Sequence, residues 1–598
     1  MENNVEKIDL DHVDWKSSRE FFESLGEALD KLDDKDESYN FTWVGKRKSI
    51  IEAGAPINKT LRPDIEASKD FDNTKNMLIV GDNLDALKLL QESYLGKIKM
   101  IYIDPPYNTG RDFVYHDNFT IKKADYSDDS VDANGNIIIA QDEFTENSKA
   151  NGRFHSDWLS MMYPRLKLAR NLLTDDGAIF ISIDDNEQAN LRELCDEIFG
   201  EDNFEGILVW KTKTAAKGVP TTNMLVTNHD YILVYSKSKN FRFKGEERDT
   251  DKFSNPDNDP RGPWKGDNMK STTSSNYFTI VDPNTGNEYT KNWAFSKASI
   301  DKMIAEDKIL WPSDPSGTPR QKRFLSEMTN DTTPLRTLIG EFQSETATNK
   351  LKELFGGTKV FDFSKHLDLM SLLIDQASGD GDIILDFFAG SGTTGHAMYE
   401  LNAKDGNKRH FILCQKDSEI DNTDAAKKAG YDTIDQITAE RLRRAGDKVI
   451  EEYPNTAQDI GFRLFHIDGA NENDGIRKSL SEIKQADIFD AIDNIKKDRT
   501  PLDLLFGVVY ASALPFDLHF EKRTIGDNTI YLYGYLDEGS GLIGCFDENV
   551  SEETIKEVAK LKPLTAAFKD TSFGDSASKI NLSEHFRVIS PDTKVKVI

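Results

Sequence analysis

The chain has 598 residues, 37% of them apolar and 30% charged, a globular composition long enough for two to four structural units. Its net charge of −29 excludes a general nucleic-acid coat, because phosphate binding wants Lys and Arg, and leaves DNA contact only to a local basic face. No stretch reaches membrane-spanning length, and the acidic N-terminal segment lacks the apolar core of a signal peptide, so a cytoplasmic protein is expected.

Residues 1–75 combine short helical patterns, such as Ser17 to Leu32, with polar segments at 40–46 and 58–63 whose physics gives no reading. Met77 to Val80 then reads as a buried strand ending in Gly81-Asp82-Asn83. Leu84, Leu87 and Leu90 follow with helical spacing, and Ile98 to Ile103 is the next apolar run. Strand, helix and strand make a βαβ unit, which implies a parallel sheet.

The second strand ends in Asp104-Pro105-Pro106-Tyr107. Each proline fixes its own φ and pushes the preceding residue out of the α region. A carboxylate and an aromatic face are thereby held on stiff backbone, where open α/β sheets bind ligands. The pair suits a planar base with an exocyclic amine: Asp104 and the Pro105 carbonyl accept from the NH₂, and Tyr107 stacks on a base taken out of its helix. A plain strand-terminating turn is the alternative.

Residues 117–150, rich in Asp, Asn and Ser, read as an inserted loop beside this site. His155 to Leu173 has helical spacing, with a kink or break expected at Pro164. Asp175-Asp176-Gly177 predicts a turn, Ala178 to Ile183 a strand, Asn186 to Phe199 a helix, and Ile207 to Trp210 and Tyr231 to Tyr235 further strands. Between about 211 and 360 the alternation gives way to short mixed segments with Pro, Gly and Trp. From 206 to 275, twelve Lys and Arg face eight Asp and Glu. Basic residues interleaved with aromatics suit nucleic-acid contact; an ordinary solvated insertion is the alternative.

Alternation returns at Ile383 to Phe387, followed by Phe388-Ala389-Gly390-Ser391-Gly392-Thr393-Thr394-Gly395 and a helix from about Thr394 to Leu401. Such glycines let backbone approach a ligand, and a helix N-terminus favours an anion. This is no Walker loop. The carboxylate of S-adenosylmethionine would suit it, although NAD sites and tight turns share the pattern. The next strand, His410 to Cys414, ends in Gln415-Lys416-Asp417, where a polar side chain would meet ribose hydroxyls. After 450, Ile460 to Ile467 reads as a strand and Leu502 to Leu514 as a buried helix, without a functional signal. Cys195, Cys414 and Cys545 are far apart and read as small buried hydrophobes.

Asp104 to Tyr107 and Phe388 to Gly392 resemble motif IV and motif I of the amino-methyltransferases of DNA, in the order of the β class. Longer stretches resemble the Mod subunits of type III restriction–modification systems: Phe41 to Lys46, Asn58 to Pro63, Gly81 to Leu84, Ile101 to Gly110, Phe180 to Asp184, Asn228 to Tyr235, Gly461 to Phe465 and Ser590 to Ile598. The likeness spans nearly the whole chain and is weakest at 117–150 and 240–350. It implies an α/β fold with a Rossmann-like, doubly wound, circularly permuted methyltransferase sheet, an inserted target recognition domain and a C-terminal α+β region. The expected layout is an N-terminal segment at 1–75, methyltransferase parts at 76–210 and 361–450, target recognition at 211–360 with its start overlapping a strand near 228–236, and a C-terminal domain at 451–598.

The resemblance further implies N6-adenine methylation of double-stranded DNA with S-adenosylmethionine, no metal, a Mod homodimer and a Res partner with ATPase and endonuclease activity. It assigns base chemistry to Asp104, Pro105, Pro106 and Tyr107. It assigns the cofactor to Asp82, Lys365, Asp386, Phe388, Gly390, Gly392, Thr393 and Gln415. Asp82 has the alternative of capping a helix, Asp386 of orienting the glycine turn, Phe388 of plain core, and Thr393 of a cap; Asp417 competes with Gln415 for the ribose. The family's Lys-Pro pair is absent, since Lys365 precedes His366. N4-cytosine methylation, an orphan methylase, a specificity subunit with incidental methylation and an NAD oxidoreductase are the competing readings.

Overall fold

A computed structural model describes residues 40–110, 113–114, 145–146, 152–213, 226–328, 332–421, 424–456, 458–472, 495–573 and 576–598. The Ser17 to Leu32 pattern and nearly all of 117–150 lie outside the described residues. Contacts divide the chain into two units, Phe243–Arg336 and the remainder.

The larger unit is built on one ten-stranded sheet. Its strands are β1 (Lys59–Lys69), β2 (Met77–Val80), β3 (Ile98–Ile103), β4 (Leu173–Ile183), β5 (Phe204–Lys211), β6 (His229–Ser236), β7 (Leu338–Glu341), β8 (Ile383–Asp386), β9 (His410–Gln415) and β10 (Phe462–Gly469). They lie in the order β1-β10-β2-β9-β8-β3-β4-β6-β5-β7. From β10 across to β4 every neighbour is parallel. β1 pairs antiparallel with β10, and β6 antiparallel with both β4 and β5.

The helices of this unit are α1 (Lys46–Gly54), α2 (Asn83–Tyr94), α3 (Phe154–Leu172), α4 (Gln188–Phe199), α5 (Leu367–Ala377), α6 (Thr393–Asp405), α7 (Ile434–Glu452) and α8 (Pro501–Tyr510), of which α2, α3, α6 and α7 connect parallel strands. Alternation along the strands assigns the faces. Ile79, Ile101, Ile103, Leu385 and Ile412 pack in one core with α2, α3 and α4. Leu78, Met100, Ile384 and Leu413, equally buried, belong to the other face. There α6 comes close, because a Cβ on Gly395 would meet Leu442 of α7 at 2.6 Å and Phe411 at 3.1 Å. Strands buried on both sides explain the continuous apolar runs in the sequence.

The break expected at Pro164 does not occur; α3 continues through it. The Arg165 guanidinium donates to the Met161 carbonyl at 2.8 Å, adding a donor in the turn that proline disturbs. Nor does a separate turn at 175–177 interrupt β4, which pairs with β3 across a register shift. The polar segment 58–63 opens β1 rather than a loop. The three cysteines are buried, and among the described residues no helix is long and apolar enough to cross a membrane.

Beyond β10, α8 is fixed by a capping box between Thr500 and Asp503. A second sheet of five strands follows, from Phe520–Ile525 to Lys594–Val597. Arg463 of β10, fully buried, ties this region to the main sheet. It donates to the Phe71, Asp72, Phe516 and Leu518 carbonyls. The unit Phe243–Arg336 has its own small core of Met269, Ile280, Tyr289, Trp293, Ile300 and Ile309. Several of its cations are paired, including Arg261 with Asp259 and Lys322 with Asp257.

Candidate active site

β3 and β8 lie side by side, yet the chain leaves them in opposite directions, β3 toward β4 and β8 toward β9. Their carboxyl ends therefore open the crevice in which doubly wound sheets hold ligands. A cleft of about 1000 Å³ occupies it, lined by Asp104, Pro105 and Pro106 from one strand end and by residues 386–391 from the other.

The segment after β3 is braced from behind. Trp158 Nε1 of α3 donates to the Pro106 carbonyl at 2.7 Å. Asn108 is buried in the left-handed region at φ 57°, a conformation asparagine tolerates better than most side chains. Its amide donates to the buried Glu187 carboxylate, which also lies 2.6 Å from His155 Nδ1. With prolines inside and these bonds outside, Asp104 and Tyr107 have little freedom.

Lys365 meets them from the segment before α5. Its ammonium stands 3.0 Å from Asp104 Oδ1, as an ion pair outside hydrogen-bond geometry, and donates to Tyr107 Oη at 2.6 Å. It also lies 4.9 Å from the centre of the Tyr107 ring and 5.7 Å from that of buried Trp210. Burial and Asp104 push the Tyr107 hydroxyl well above the ordinary phenol range. Burial likewise raises Asp230 on β6, which faces the same Lys365 charge.

Across the crevice, buried Asp386 ends β8. It accepts from Phe388 N–H at 3.0 Å and from the Thr394 hydroxyl, bracing the glycine turn from within. Gly390 and Gly392 have φ of 54° and 79°, where a side chain would strain the backbone. Gln415 Oε1 accepts from Gly390 N–H at 2.8 Å, and its amide donates to the Lys416 carbonyl. Gln415 is thus engaged with the glycine turn, and both it and Asp417 line the cleft. Phe388, Gly390, Thr393, Asp386, Lys365 and Gln415 all reach the cleft wall, whereas Gly392 and Tyr107 are not part of its lining.

Asp82 caps α2, its Oδ1 accepting from Leu84 N–H at 2.8 Å, and is absent from the cleft lining. The neighbouring Asn83 lines it instead, donating to the Phe387 carbonyl at 2.8 Å and accepting from Arg165 at 2.6 Å. His366, standing where the family has proline, caps α5 through Nδ1. Sequence reasoning missed Asn83, Trp210, Ser391 and Arg441. Asn83 adjoins a strand end and was within reach of the strand-end rule. Arg441 sits in a run of arginines, Arg441, Arg443 and Arg444, that reads as a solvated helix face.

A family model described as DNA methylase matches residues 98–428. The chain is 37% identical to a type III restriction–modification Mod subunit, StyLTI, of Salmonella typhimurium, over 73% of this chain and 67% of that protein. It is 32% identical to the EcoP15I Mod subunit of Escherichia coli, over 72% and 71%. A type II methyltransferase of Klebsiella pneumoniae, M.KpnI, is 33% identical over 63% of this chain and 89% of its own length.

Proposed function

This chain belongs to the DNA methylase family, on the side of the type III Mod subunits, and is a site-specific DNA methyltransferase using S-adenosylmethionine; from that premise we propose that its target atom is adenine N6. The observation that supports an exocyclic amine as the target is the Lys365 ammonium against Asp104 Oδ1 and Tyr107; the choice of adenine over cytosine rests on the resemblance, in which aspartate rather than serine at the position of Asp104 goes with adenine. A nitrogen with hydrogens to give already has a place beside an acceptor and an aromatic ring. An exocyclic amine of a flipped base has the same requirements.

The cleft fits the cofactor. Val360, Phe388, Ile420 and Ile437 offer apolar wall for its purine, Asp417 an acceptor for ribose hydroxyls, and Ser391 and Thr393 hydroxyls for its carboxylate. When bound, S-adenosylmethionine supplies an electrophilic methyl group on a sulfonium. The protein's part is to make the amine nitrogen nucleophilic and to aim it. Asp104 and the Pro105 carbonyl accept the two N6 hydrogens, drawing the lone pair out of ring conjugation. Asp104 then stabilises the positive charge that grows on nitrogen and takes the proton that the methylated nitrogen releases. Tyr107 holds the base by stacking, and the fixed separation of the two strand ends sets the line of attack.

In this reading the sheet is a circularly permuted methyltransferase fold, because the base-site strand β3 precedes the cofactor-loop strand β8 in the chain. The unit Phe243–Arg336 serves target recognition, and the chain works as a homodimer with a Res-like ATPase and nuclease. A second reading keeps the chemistry and drops the partner; the likeness to a type II methyltransferase favours it. Incubating the purified chain with labelled S-adenosylmethionine and random-sequence duplex DNA, then analysing the nucleosides, tests the assignment. N6-methyladenine is expected; N4-methylcytosine would overturn the choice of base.

A further inference from the structure

Among the described residues of the larger unit, four arginines are fully buried: Arg165, Arg409, Arg441 and Arg463. Three have ordinary compensation. Arg165 reaches Asp82 at 3.4 Å, Arg409 reaches Asp405 at 2.8 Å, and Arg463 rests on four backbone carbonyls. Arg441 of α7 differs. Its Nη1 donates to three hydroxyls, Ser391 at 2.7 Å, Thr393 at 2.9 Å and Ser364 at 3.0 Å, with one long contact to the Ser391 carbonyl. Its Nε donates to His396 Nδ1 at 3.3 Å. Among the described residues no carboxylate lies within ion-pair distance of it. The nearest acid in the chain of contacts, Glu400, is reached only through His396, which stands 3.2 Å from it.

A buried cation without a counter-ion is expensive, and burial accordingly pulls this guanidinium below the usual arginine range. The hydroxyls that soften the cost are not random. Ser391 and Thr393 both line the cofactor cleft, at the turn where α6 begins. A hydroxyl that accepts from Arg441 keeps its own hydrogen to give; Ser364 gives its to the Lys365 carbonyl, Thr393 has only a long 3.3 Å contact with Ser364, and the Ser391 hydrogen has no acceptor among the described residues. The glycine turn brings the N-terminal end of α6, which favours negative charge, to the same place.

We propose that Arg441 is the counter-charge for the carboxylate of S-adenosylmethionine, acting from behind Ser391 and Thr393, whose hydroxyls donate to that carboxylate. Arg441 is a positioning residue here: it polarises and orients the two hydroxyls and does not itself line the cleft. The assignment rests on the cofactor occupying this cleft and extends it to a residue outside the two sequence motifs.

Calorimetric titration of the full chain with S-adenosylmethionine and with its decarboxylated analogue, which keeps sulfonium and adenosine, separates the possibilities. The wild type is expected to prefer the carboxylate-bearing compound by about 10- to 100-fold, the range of a charge-assisted hydrogen bond. Arg441→Met should lose most of that preference while its affinity for the decarboxylated analogue stays within about 3-fold, since nothing there addresses Arg441. Arg441→Lys, which keeps the charge and guards against a folding failure, should retain part of the preference. Equal weakening toward both compounds in both variants would make Arg441 structural and overturn the proposal, as would an undiminished preference in Arg441→Met. Failure of the wild type to bind either compound would instead overturn the cofactor cleft, and the Arg441 role with it.

Discussion

The Lys365 ammonium stands 3.0 Å from Asp104 Oδ1 and donates to Tyr107, so one cation joins the two side chains to which the proposed base chemistry is assigned. The resemblance places this lysine with the cofactor, whose cleft it lines, while its ion pair and hydrogen bond are with Asp104 and Tyr107. Lys365→Met should therefore lower kcat by about 10- to 100-fold and leave the Kd for S-adenosylmethionine within about 3-fold, because the loss falls on alignment of Asp104 and Tyr107. Single-turnover rates beside titrations of the free enzyme would show it. A weakened cofactor Kd with unchanged single-turnover rate would return Lys365 to the cofactor side.

Tyr107 offers a ring to the base and a hydroxyl to Lys365, and the two contributions can be separated. Tyr107→Phe removes the hydroxyl alone and should cost a few-fold in kcat/KM, the worth of one hydrogen bond of about 1 kcal/mol. Tyr107→Ala also removes the stacking face, worth about 1–3 kcal/mol per base, and should cost roughly 10- to 100-fold more. If alanine and phenylalanine behave alike in steady-state methylation of a mapped site, stacking is not what Tyr107 does.

Gln415 and Asp417 sit at the same strand end with different duties. Gln415 Oε1 satisfies Gly390 N–H. Gln415→Ala leaves that donor without its partner at a cost of about 1–3 kcal/mol, and should weaken S-adenosylmethionine binding about tenfold while lowering the Tm of the free protein. The Asp417 side chain has no hydrogen bond or ion pair among the described residues. Asp417→Ala should weaken the cofactor by a similar factor with Tm unchanged, and removal of the ribose hydroxyls from the ligand should abolish the difference between wild type and variant. Equal cofactor affinity in wild type and Asp417→Ala would leave the ribose to another group.

The elements that sequence reading found are those whose burial is one-sided or complete. β2, α2 and β3 announce themselves because Met77 to Val80 and Ile98 to Ile103 are continuous apolar runs and Leu84, Leu87 and Leu90 keep helical spacing. β1 was illegible for the converse reason. It is an edge strand, half-exposed, carrying Lys59, Arg62, Asp64 and Glu66 and interrupted by Pro63, which only an edge accommodates. At the site, the residues carried by a local motif could be read: Asp104 to Tyr107, and Phe388, Gly390, Gly392 and Thr393 of the glycine turn, though not Ser391 between them. Those delivered by topology could not. Trp210 reaches the base side because β5 folds back beside β6, and Arg441 reaches the glycine turn because α7 packs on α6; neither neighbourhood is written in local sequence.

Asp386 connects the cofactor turn to pH. Its carboxyl is fully buried and, although Phe388 N–H and Thr394 donate to it, burial prevails and raises its pKa from the ordinary carboxylate range to about 7. The folded state therefore binds this proton more tightly than the unfolded chain does. The stability it contributes is full below the unfolded value, declines as pH rises from there, and is lost once pH passes the folded value near 7. Asp386→Asn, uncharged throughout, should flatten that part of the profile: the difference in urea midpoint between variant and wild type should shift in the variant's favour as pH rises from 4 to 7. Above pH 7 the difference should level off, since the wild-type carboxyl is then ionised in the folded and the unfolded state alike. A difference that stays constant from pH 4 to 8 would mean that Asp386 titrates as an ordinary carboxylate, and that the turn it braces is stabilised by the ionised form.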